Sequence, residues 1–593
     1  MPTLIYIILC LAIVAVLIKP LGKYIAGVYI DKLVFPEKIL GWLERLIYKT
    51  CGIAPEKEMN WVAYTFSLIL FSFFCFLLLF FILCFQHVLP LNPQQFPAVS
   101  PDLAFNLAIG FITNCDWQVY AGENTLSNFS QTIGLTVQNF IATASGMAIF
   151  AALARGIARR ETKFIGNFYK DMVRGIIYIL LPLSLILSVF LVSQGVVQSG
   201  GEYVKYTPLE NSHESQVIGH EKETTSNDQG LMTHDQLIPL GAVASQVAIR
   251  TVGSSGGGFF GANGAHPFEN PTPLSNFIQI IATLILPSAF AYAFGCIVGD
   301  SRQGWALLAT MYIIFLPMLG ISVYYEQKAN PLFDTKVIDG SAGNMEGKDV
   351  RFGIGSSTFR VLVAAASSNG SPNAMLDSFS PIGGLVPIIL TQFSELIIGG
   401  VGSGVYNILT YVILTVFLGG LMVGRTPQYL GKKITTFDIK MASVVVVVPA
   451  MVVLLGTAIA VTTQAGRDGV FNSGAQGFTE ILYAYTSAGN NDGGAFAGLK
   501  ANTPFYNISL AIAMFIGRFF ITVAILGLAG SFAGKNIAPA NAGTLPTHTP
   551  LFIFLLIWVL VTVGILAFIP SVIFGPVAEH FHLNSLIPAS TVQ

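Results

Sequence analysis

The sequence predicts an all-α integral membrane protein with ten transmembrane helices, eight of which pair into four repeated units. Three observations lead to this fold class: long apolar runs from end to end, loops that alternate in charge, and four similar polar, glycine-rich stretches. The chain has 593 residues, of which 53% are hydrophobic and 10% are charged, whereas soluble chains are about 25% charged. Because so few charged groups cannot cover a water-facing surface, we expect most of the chain to lie in lipid.

Apolar runs of membrane-spanning length recur along the chain. They include residues 61–85, 175–197, 277–296, 441–461 and 551–573. Each can cross about 30 Å of hydrocarbon at about 1.5 Å per helical residue. Helices are favoured over strands because backbone groups in lipid must be paired within the segment. The first run, 1–18, has neither a preceding basic region nor a small-residue cleavage site, so we interpret it as a retained span.

Charge and cysteine content exclude several classes of protein. The net charge is −1, which argues against a nucleic-acid partner. The six cysteines are scattered without a C-x-x-C pair, so we interpret them as buried apolar residues rather than as a disulfide or metal framework.

Loop charges predict the orientation of the spans. Lys and Arg collect in short cytoplasmic loops, and here they collect in 19–57, in 155–174, at Arg302, in 425–440 and at Lys535. The segments 86–101 and 199–235 alternate with them and are assigned to the outside, as is 326–351, where acidic residues balance four basic ones. Both termini are therefore predicted outside, which requires an even number of spans, and we count ten.

Four polar stretches divide the middle of the chain into repeated units. They read TNCDWQ (113–118), TVGSSG (251–256), AASSNG (365–370) and AGNNDG (488–493), and each follows an apolar helix too short to span. We therefore predict four units of span, pore helix, loop and span, at 61–174, 175–300, 303–424 and 437–534. Extra spans lie at 1–26 and 548–575.

Four such loops predict an ion pore. Non-helical backbone at membrane depth is tolerated only where protein buries it or where it lines a wet cavity, and four loops on a pseudo-fourfold axis would form one. Rings of backbone carbonyls replace the water shell of a potassium ion, and glycine allows a carbonyl to point inward. The run GGVGSG (399–404) is interpreted as a packing site or a break in the second span of the third unit.

Two charged residues stand inside otherwise apolar spans. They are Glu395 and Arg518. Charges within a membrane tend to be paired and functional, so we hypothesise that the two pair near the pore, with a purely structural ion pair as the alternative.

At these loops the sequence resembles a known family. The stretches 251–273 (TVGSSGGGFFGANGAHPFENPTP) and 485–499 (YTSAGNNDGGAFAGL) resemble signature loops of the potassium-binding A subunit of the bacterial Kdp potassium-transporting ATPase. RFGIGSSTF (351–359), GGVGSG (399–404) and GRFF (517–520) agree with it, and the resemblance covers nearly the whole chain.

The resemblance implies a high-affinity potassium site, in the superfamily of potassium transporters, and a bacterial cytoplasmic (inner) membrane location. It implies three partners besides membrane lipid: a P-type ATPase catalytic subunit, a periplasm-facing C subunit and a small single-span subunit. Potassium would pass from the filter through an intersubunit tunnel to the ATPase subunit. Carried over by position, the filter residues are the last residues of the four stretches, Gln118, Gly256, Gly370 and Gly493, with their neighbours. The neighbours are Asn114, Cys115, Asp116, Ser254, Ser255, Gly257, Ser368, Asn369, Asn490, Asn491 and Asp492.

Asp116 and Asp492 depart from the asparagine-rich pattern expected of this family. Their carboxylates would attract cations of any kind, or they would turn away and accept hydrogen bonds from loop N–H groups.

The energy source is expected on another chain. The sequence has neither a G-x-x-x-x-G-K-[ST] phosphate loop nor a D-K-T-G-T phosphorylation motif, so we predict no ATP site and no enzymatic activity here. The alternative is a self-sufficient potassium channel or symporter of the same superfamily. A membrane-embedded enzyme would need a convergent set of titratable residues, which we do not find.

Overall fold

Ten helices in the structure are long and apolar enough to cross a membrane. The structure is a computed structural model that describes residues 3–32, 37–206, 236–328, 343–393, 395–424, 426–538 and 545–586. The ten spans are Thr3–Tyr29, Trp61–Cys84, Ser130–Ala158, Phe168–Ser193, Pro273–Ile297, Ser301–Glu326, Ser403–Met422, Thr436–Thr462, Pro504–Ala533 and Pro550–Leu583. The predicted class and number of spans are therefore confirmed. Most of the outer segment 199–235, part of 326–351 and Arg425 lie outside the described residues.

The secondary structure is almost entirely helical. The α-helices are α1 (Thr3–Tyr29), α2 (Glu37–Cys51), α3 (Trp61–Cys84), α4 (Pro101–Thr113), α5 (Gly122–Thr125), α6 (Val137–Ala158), α7 (Phe168–Arg174), α8 (Leu181–Ser193), α9 (Val243–Gly253), α10 (Pro273–Ile297), α11 (Ser301–Glu326), α12 (Gly353–Ala366), α13 (Pro381–Gln392), α14 (Ser403–Val423), α15 (Thr436–Thr462), α16 (Gln464–Arg467), α17 (Ala475–Gly489), α18 (Pro504–Ala533), α19 (Pro550–Val572) and α20 (Ala578–Leu586). π-helical turns at Ser130–Thr136, Gly175–Leu180 and Ile573–Val577 join the pieces of three spans.

Short strands form three two-stranded antiparallel ribbons. They are β1 (Met59–Asn60) with β2 (Phe164–Gly166), β3 (Val204–Tyr206) with β4 (Gln236–Ile238), and β5 (Gln428–Tyr429) with β6 (Lys432–Lys433).

Return helices begin at a repeated local signal. In units 2, 3 and 4 a Thr or Ser side chain accepts a hydrogen bond from a backbone N–H of the first turn, and proline follows it at the start of the helix. Proline is tolerated there because the first-turn N–H groups have no helical partner. Helices α10, α13 and α18 therefore start at the same local signal.

The second span of unit 3 is broken. Helix α13 ends at Gln392 and α14 begins at Ser403, with irregular backbone between them. Positive φ angles at Ile398, Gly399 and Gly402 are incompatible with a continuous helix. Of the two interpretations of the GGVGSG run, the break is the one observed.

Helix contacts also join the predicted first and last units. Helix α18 of unit 4 packs against α4 and α6 of unit 1. On the predicted cytoplasmic side, the Lys432 ammonium donates to the Gly156 and Phe532 carbonyls (2.9 and 2.7 Å) and to that of Arg159. These carbonyls lie at the C-terminal ends of α6 and α18, where helical partners are missing. The boundaries of the four units stay a prediction.

Candidate ion-binding site

Four short helices end where the polar loops begin. Helices α4, α9, α12 and α17 have 13, 11, 14 and 15 residues, too few to span. Each is followed by a left-handed residue at the start of its loop: Asn114, Ser254, Ser368 and Asn491, with φ of 65°, 47°, 52° and 51°. The same backbone turn thus recurs in all four loops. The negative ends of the four helix dipoles point toward the loops, which favours a bound cation.

Three glycines bring the loop backbones together. A Cβ added to Gly256 would overlap the Cys115 carbonyl oxygen and lie 2.9 Å from the Gly493 Cα. One added to Gly370 would overlap the Asp492 oxygen and lie 2.7 Å from the Gly493 Cα. All four loops therefore meet within van der Waals distance, and a side chain at these glycines has no room.

The register of the first loop differs from the predicted one. Gly256, Gly370 and Gly493 each stand two residues after the left-handed residue, and the equivalent position in loop 1 is Asp116, not Gln118. The register of each loop is set by the end of the short helix before it, and the last residues of the polar stretches do not show where that helix ends. Gln118 lies beyond the meeting point and donates its amide to the Gly258 carbonyl at 2.8 Å.

Side chains tie neighbouring loops to one another. Asn114 donates to the Ser254 carbonyl (3.1 Å) and accepts from the Ser255 hydroxyl (3.0 Å), which joins loops 1 and 2. Asn369 of loop 3 donates to the Ser255 carbonyl at 3.3 Å. The four loops are therefore a cross-linked assembly rather than independent turns.

Loop 4 closes against loop 1. The indole N–H of Trp117 donates to the Gly494 carbonyl at 2.7 Å, and the Cys115 thiol contacts the Ser487 carbonyl at 3.7 Å. Asn490, predicted as a filter residue, donates instead to Thr486 of its own pore helix at 3.0 Å. Its role is thus in ending α17.

Buried oxygen atoms without a hydrogen-bond partner are concentrated in these loops. Among the described residues they include Asp116 Oδ1 and Oδ2, Gln118 Oε1, Ser254 Oγ, Ser368 Oγ, Asn369 Oδ1, Asn491 Oδ1 and Asp492 Oδ1. A buried polar atom left unpaired costs on the order of 1–3 kcal/mol. Every one of these atoms is an electron-pair donor, so the set fits a dehydrated cation.

The two unexpected carboxyls differ in their contacts. Asp492 accepts the Gly494 N–H at 3.2 Å through one oxygen, as a brace within its own loop. Neither oxygen of Asp116 has a hydrogen-bond partner among the described residues.

A buried ion pair lies behind loop 2. Arg250 of α9 donates to Glu269 Oε2 at 2.5 Å and to the Gly257 carbonyl at 2.9 Å. Glu269 in turn accepts the Phe260 N–H at 3.0 Å. Neither residue was predicted from the sequence, although a lone arginine within the apolar helix QVAIRTVG was a signal for them.

The hypothesised pair of Glu395 and Arg518 is not in contact. Among the described residues, no guanidinium nitrogen of Arg518 lies within 4.0 Å of a carboxylate oxygen of Glu395. The break in unit 3 takes Glu395 off the helix, where Asn407 donates to it at 3.0 Å. Both charges nevertheless line one cavity beneath the loops, with Asn490 and Asn491, and Arg518 is close enough to act electrostatically on Glu395.

Polar contacts also join units 3 and 4 at the loop mouth. Asn472 donates to Glu480 at 2.7 Å and to Asp377 at 3.2 Å, so one amide bridges two carboxyls. Burial raises the pKa of both carboxyls above its ordinary value. The bridge fixes the start of the fourth pore helix against the segment that follows the third loop.

Comparison with known proteins points to one family. The chain matches the family model described as potassium-transporting ATPase A subunit over residues 8–581. It is 50% identical over 577 residues to the potassium-transporting ATPase potassium-binding subunit of Methylococcus capsulatus, covering 96% of this chain and 97% of that one. To the subunit of the same description from Herpetosiphon aurantiacus it is 51% identical over 580 residues, covering 97% and 98%.

A solved structure is also similar. It is that of the potassium transporter TrkH from Vibrio parahaemolyticus, with a TM-score of 0.49 and 15% identity, covering 86% of this chain and 97% of that one.

Proposed function

The chain belongs to the family of potassium-transporting ATPase A subunits, and from that premise we propose that it binds external potassium in the four-loop filter and delivers it to a P-type ATPase partner. The convergence of four loops around buried, unpartnered oxygens carries the proposal. The relatives are named potassium-binding subunits, which agrees with a role in binding rather than in catalysis.

The filter chemistry follows from the loop backbones. Carbonyls one residue after each left-handed turn belong to Cys115, Ser255, Asn369 and Asp492. Those of Cys115 and Asp492 lie against the glycines of neighbouring loops. Such carbonyls replace the water that a potassium ion loses on entry. The negative ends of the four helix dipoles point toward the loops and stabilise the positive charge of the bound potassium ion without a full counter-ion.

The exit is proposed to lie beside unit 3. The cavity beneath the filter is lined by Asn490 and Asn491 of the fourth loop, Glu395 of the break and Arg518 of α18. Glu395 attracts a cation leaving the filter and Arg518 repels it, so the two charges favour a sideways path over a straight one. Because irregular backbone replaces helix in 395–402, this wall can open toward a partner.

Partners would supply the energy and complete the complex. We propose a P-type ATPase catalytic subunit, a periplasm-facing C subunit and a small single-span subunit, all in the bacterial inner membrane. The absence of a nucleotide-binding motif from the sequence supports an energy source on another chain.

Reconstitution tests the function. The purified complex in vesicles should hydrolyse ATP in response to external potassium at low concentration, and this chain alone should not hydrolyse ATP. If the chain alone carries out potassium uptake driven by membrane potential, it is a self-sufficient channel or symporter and the pump assignment is wrong.

Thiol labelling tests the orientation. Cys51 is the exposed one of the six cysteines, and the loop charges place it on the cytoplasmic side. A membrane-impermeant maleimide should therefore label inverted vesicles and not intact spheroplasts. Labelling from the outside would reverse the proposed topology, and Cys51→Ser provides the background control.

A further inference from the structure

Helix α2 carries large apolar side chains on its outer surface. Ile39, Trp42 and Leu46 follow the i, i+3, i+7 spacing of one helical face. They are 58%, 59% and 47% exposed, so the described part of the chain does not cover them. We call these three residues the apolar stripe. A contiguous exposed apolar surface marks a site of interaction with a protein or a membrane.

The orientation of α2 is fixed at its inner edge by Glu44. This carboxyl accepts hydrogen bonds from the hydroxyls of Tyr48, at 2.7 Å, and of Tyr178. Arg174 lies 3.5 Å from Glu44 and also 3.5 Å from Glu37, which is two turns earlier on the same helix. Because α2 is held at two separate turns, the fold determines which of its faces points outward.

Basic side chains border the apolar stripe. Lys38, Arg45 and Lys49 are exposed and follow an i, i+7, i+11 spacing, which places them on one side of α2 next to Trp42. None of the three has a carboxylate oxygen within 4.0 Å among the described residues. Both acidic residues of the helix instead turn inward to Arg174. The exposed side of α2 therefore carries only positive charge, which is complementary to an anionic surface.

The position of α2 places this surface beside the bilayer. The helix lies in the chain between the spans Thr3–Tyr29 and Trp61–Cys84, and it packs against the π-helical turn Gly175–Leu180 near the start of a third span. The loop charges predict the cytoplasmic side for this segment, and the cytoplasmic leaflet is the one with a negative surface potential. Tryptophan is enriched at the boundary between headgroups and acyl chains. The apolar stripe thus continues the lipid-facing surface of the neighbouring spans.

We propose that α2 is an interfacial helix that docks on the anionic phospholipids of the cytoplasmic leaflet. The apolar stripe enters the outer part of the acyl chains, about 5–10 Å deep as in other amphipathic interfacial helices. Lys38, Arg45 and Lys49 bind the phosphate groups of anionic lipids at the rim. This proposal does not depend on which ion the chain binds, and its test measures no transport.

Fluorescence quenching tests the depth of the stripe. The assembled complex is reconstituted in vesicles whose phospholipids carry bromine on the acyl chains, and the difference between wild type and Trp42→Phe isolates the emission of Trp42. This component should be quenched more strongly by the brominated lipid than by aqueous iodide. Trp558, exposed on the span Pro550–Leu583, provides the reference for a lipid-facing tryptophan through Trp558→Phe.

The headgroup is tested by moving the bromine between lipids. In mixed vesicles, brominated phosphatidylglycerol should quench Trp42 with a preference of roughly 5-fold or more over brominated phosphatidylcholine, since each basic residue near an anionic surface contributes an attraction of this order. Replacement of the three basic residues at the rim should bring the preference toward one. That variant is Lys38→Gln, Arg45→Gln, Lys49→Gln. The matched control removes the same charge from exposed lysines elsewhere on the predicted cytoplasmic side and should keep the preference. It is Lys57→Gln, Lys163→Gln, Lys433→Gln.

Three results would overturn the proposal. If iodide quenches Trp42 and brominated lipid does not, the stripe does not enter the membrane. If lipid quenching is present in the chain alone and disappears in the assembled complex, the stripe is covered by another subunit. If the preference for phosphatidylglycerol is unchanged in the rim variant, or falls equally in the matched control, the basic residues of α2 do not select anionic lipid.

Discussion

Substitution of Gly370 by alanine tests whether the meeting of the four loops creates the potassium site. The new Cβ would overlap the Asp492 carbonyl oxygen and lie 2.5 Å from the Gly493 carbonyl carbon. Because ordinary Cβ contacts are 3.4–4 Å, loop 4 must move by about 1 Å, enough to forfeit much of a close contact. The Asp492 carbonyl would then be lost as a ligand.

The magnitude follows from the value of one such contact. A hydrogen bond to a charged group contributes about 1.5–3 kcal/mol, and an ion–carbonyl contact is taken to be of the same order. At about 1.4 kcal/mol for each factor of ten, Gly370→Ala should weaken apparent potassium affinity by about 10- to 150-fold. The assay is potassium-stimulated ATP hydrolysis by the purified complex, as a function of potassium concentration.

Gly353→Ala is the matched control. Gly353 begins the pore helix of the same unit and has φ of 71°, but no atom lies within 4 Å of an added Cβ. Both variants therefore carry the cost of a left-handed alanine, about 1–2 kcal/mol, and only Gly370→Ala displaces another loop. If both variants lose affinity equally, or if neither changes it more than twofold, the convergence of the loops does not determine binding.

Three further predictions concern charges elsewhere in the chain. Glu395 and Arg518 share a cavity without touching. The coupling energy from a double-mutant cycle of Glu395→Gln and Arg518→Gln, measured by potassium uptake, should therefore stay well below the ~3–5 kcal/mol of a buried contact pair. A value in that range would mean that the two side chains pair directly. Lys432→Met should lower the melting temperature of the complex, since three carbonyls lose a charged donor that contributes about 1.5–3 kcal/mol per bond, whereas Met at the exposed neighbour Lys433 should have no effect. Burial raises the folded-state pKa of Glu480, so its charged form weakens the fold. As pH falls through that raised value, the wild type should therefore gain stability relative to Glu480→Gln, and a difference in melting temperature that does not change with pH would refute this.

Hydropathy and loop charge were sufficient to predict the ten spans. Long apolar runs can satisfy their backbone in lipid only as helices, so the number of spans follows from the number and length of those runs and from the charges of the loops between them. The starts of α10, α13 and α18 also carry a signal that is local in the sequence, a Ser or Thr followed by Pro. The orientation of the spans stays a prediction.

The register within the loops was not accessible from the sequence. Alignment of the polar stretches by their last residues put Gln118 at the position that Asp116 occupies in the structure. The left-handed residue that sets the register is not of one residue type, since it is Asn in two loops and Ser in the other two. The same limit hid the difference between Asp116 and Asp492. Which carboxyl is braced depends on the N–H groups that the folded loop presents, and these are set by backbone angles.

The break in unit 3 was ambiguous for a different reason. Glycine-rich runs in membrane helices either allow close packing or interrupt the helix, and both use the same residues. Only the tertiary surroundings, in which Glu395 and Arg518 line one cavity, separate the two outcomes. The pairing of Arg250 with Glu269 was not predicted because the two residues are 19 positions apart and do not lie in the same helix.

The contacts of Lys432 bear on how the protein is made. A ribosome delivers the four units in order, so units 1, 2 and 3 are in the membrane before unit 4 exists, and folding of such chains proceeds from the N-terminal part. The chain does not connect unit 1 directly to unit 4, so the contact between them forms only after α18 has entered the membrane beside α6. Lys432 precedes unit 4 by only a few residues and donates a hydrogen bond to the end of α6. It can therefore hold the start of unit 4 next to α6 before α18 packs there. A nascent chain that stops before α18 would expose to the bilayer the faces of α4 and α6 that α18 covers in the folded protein.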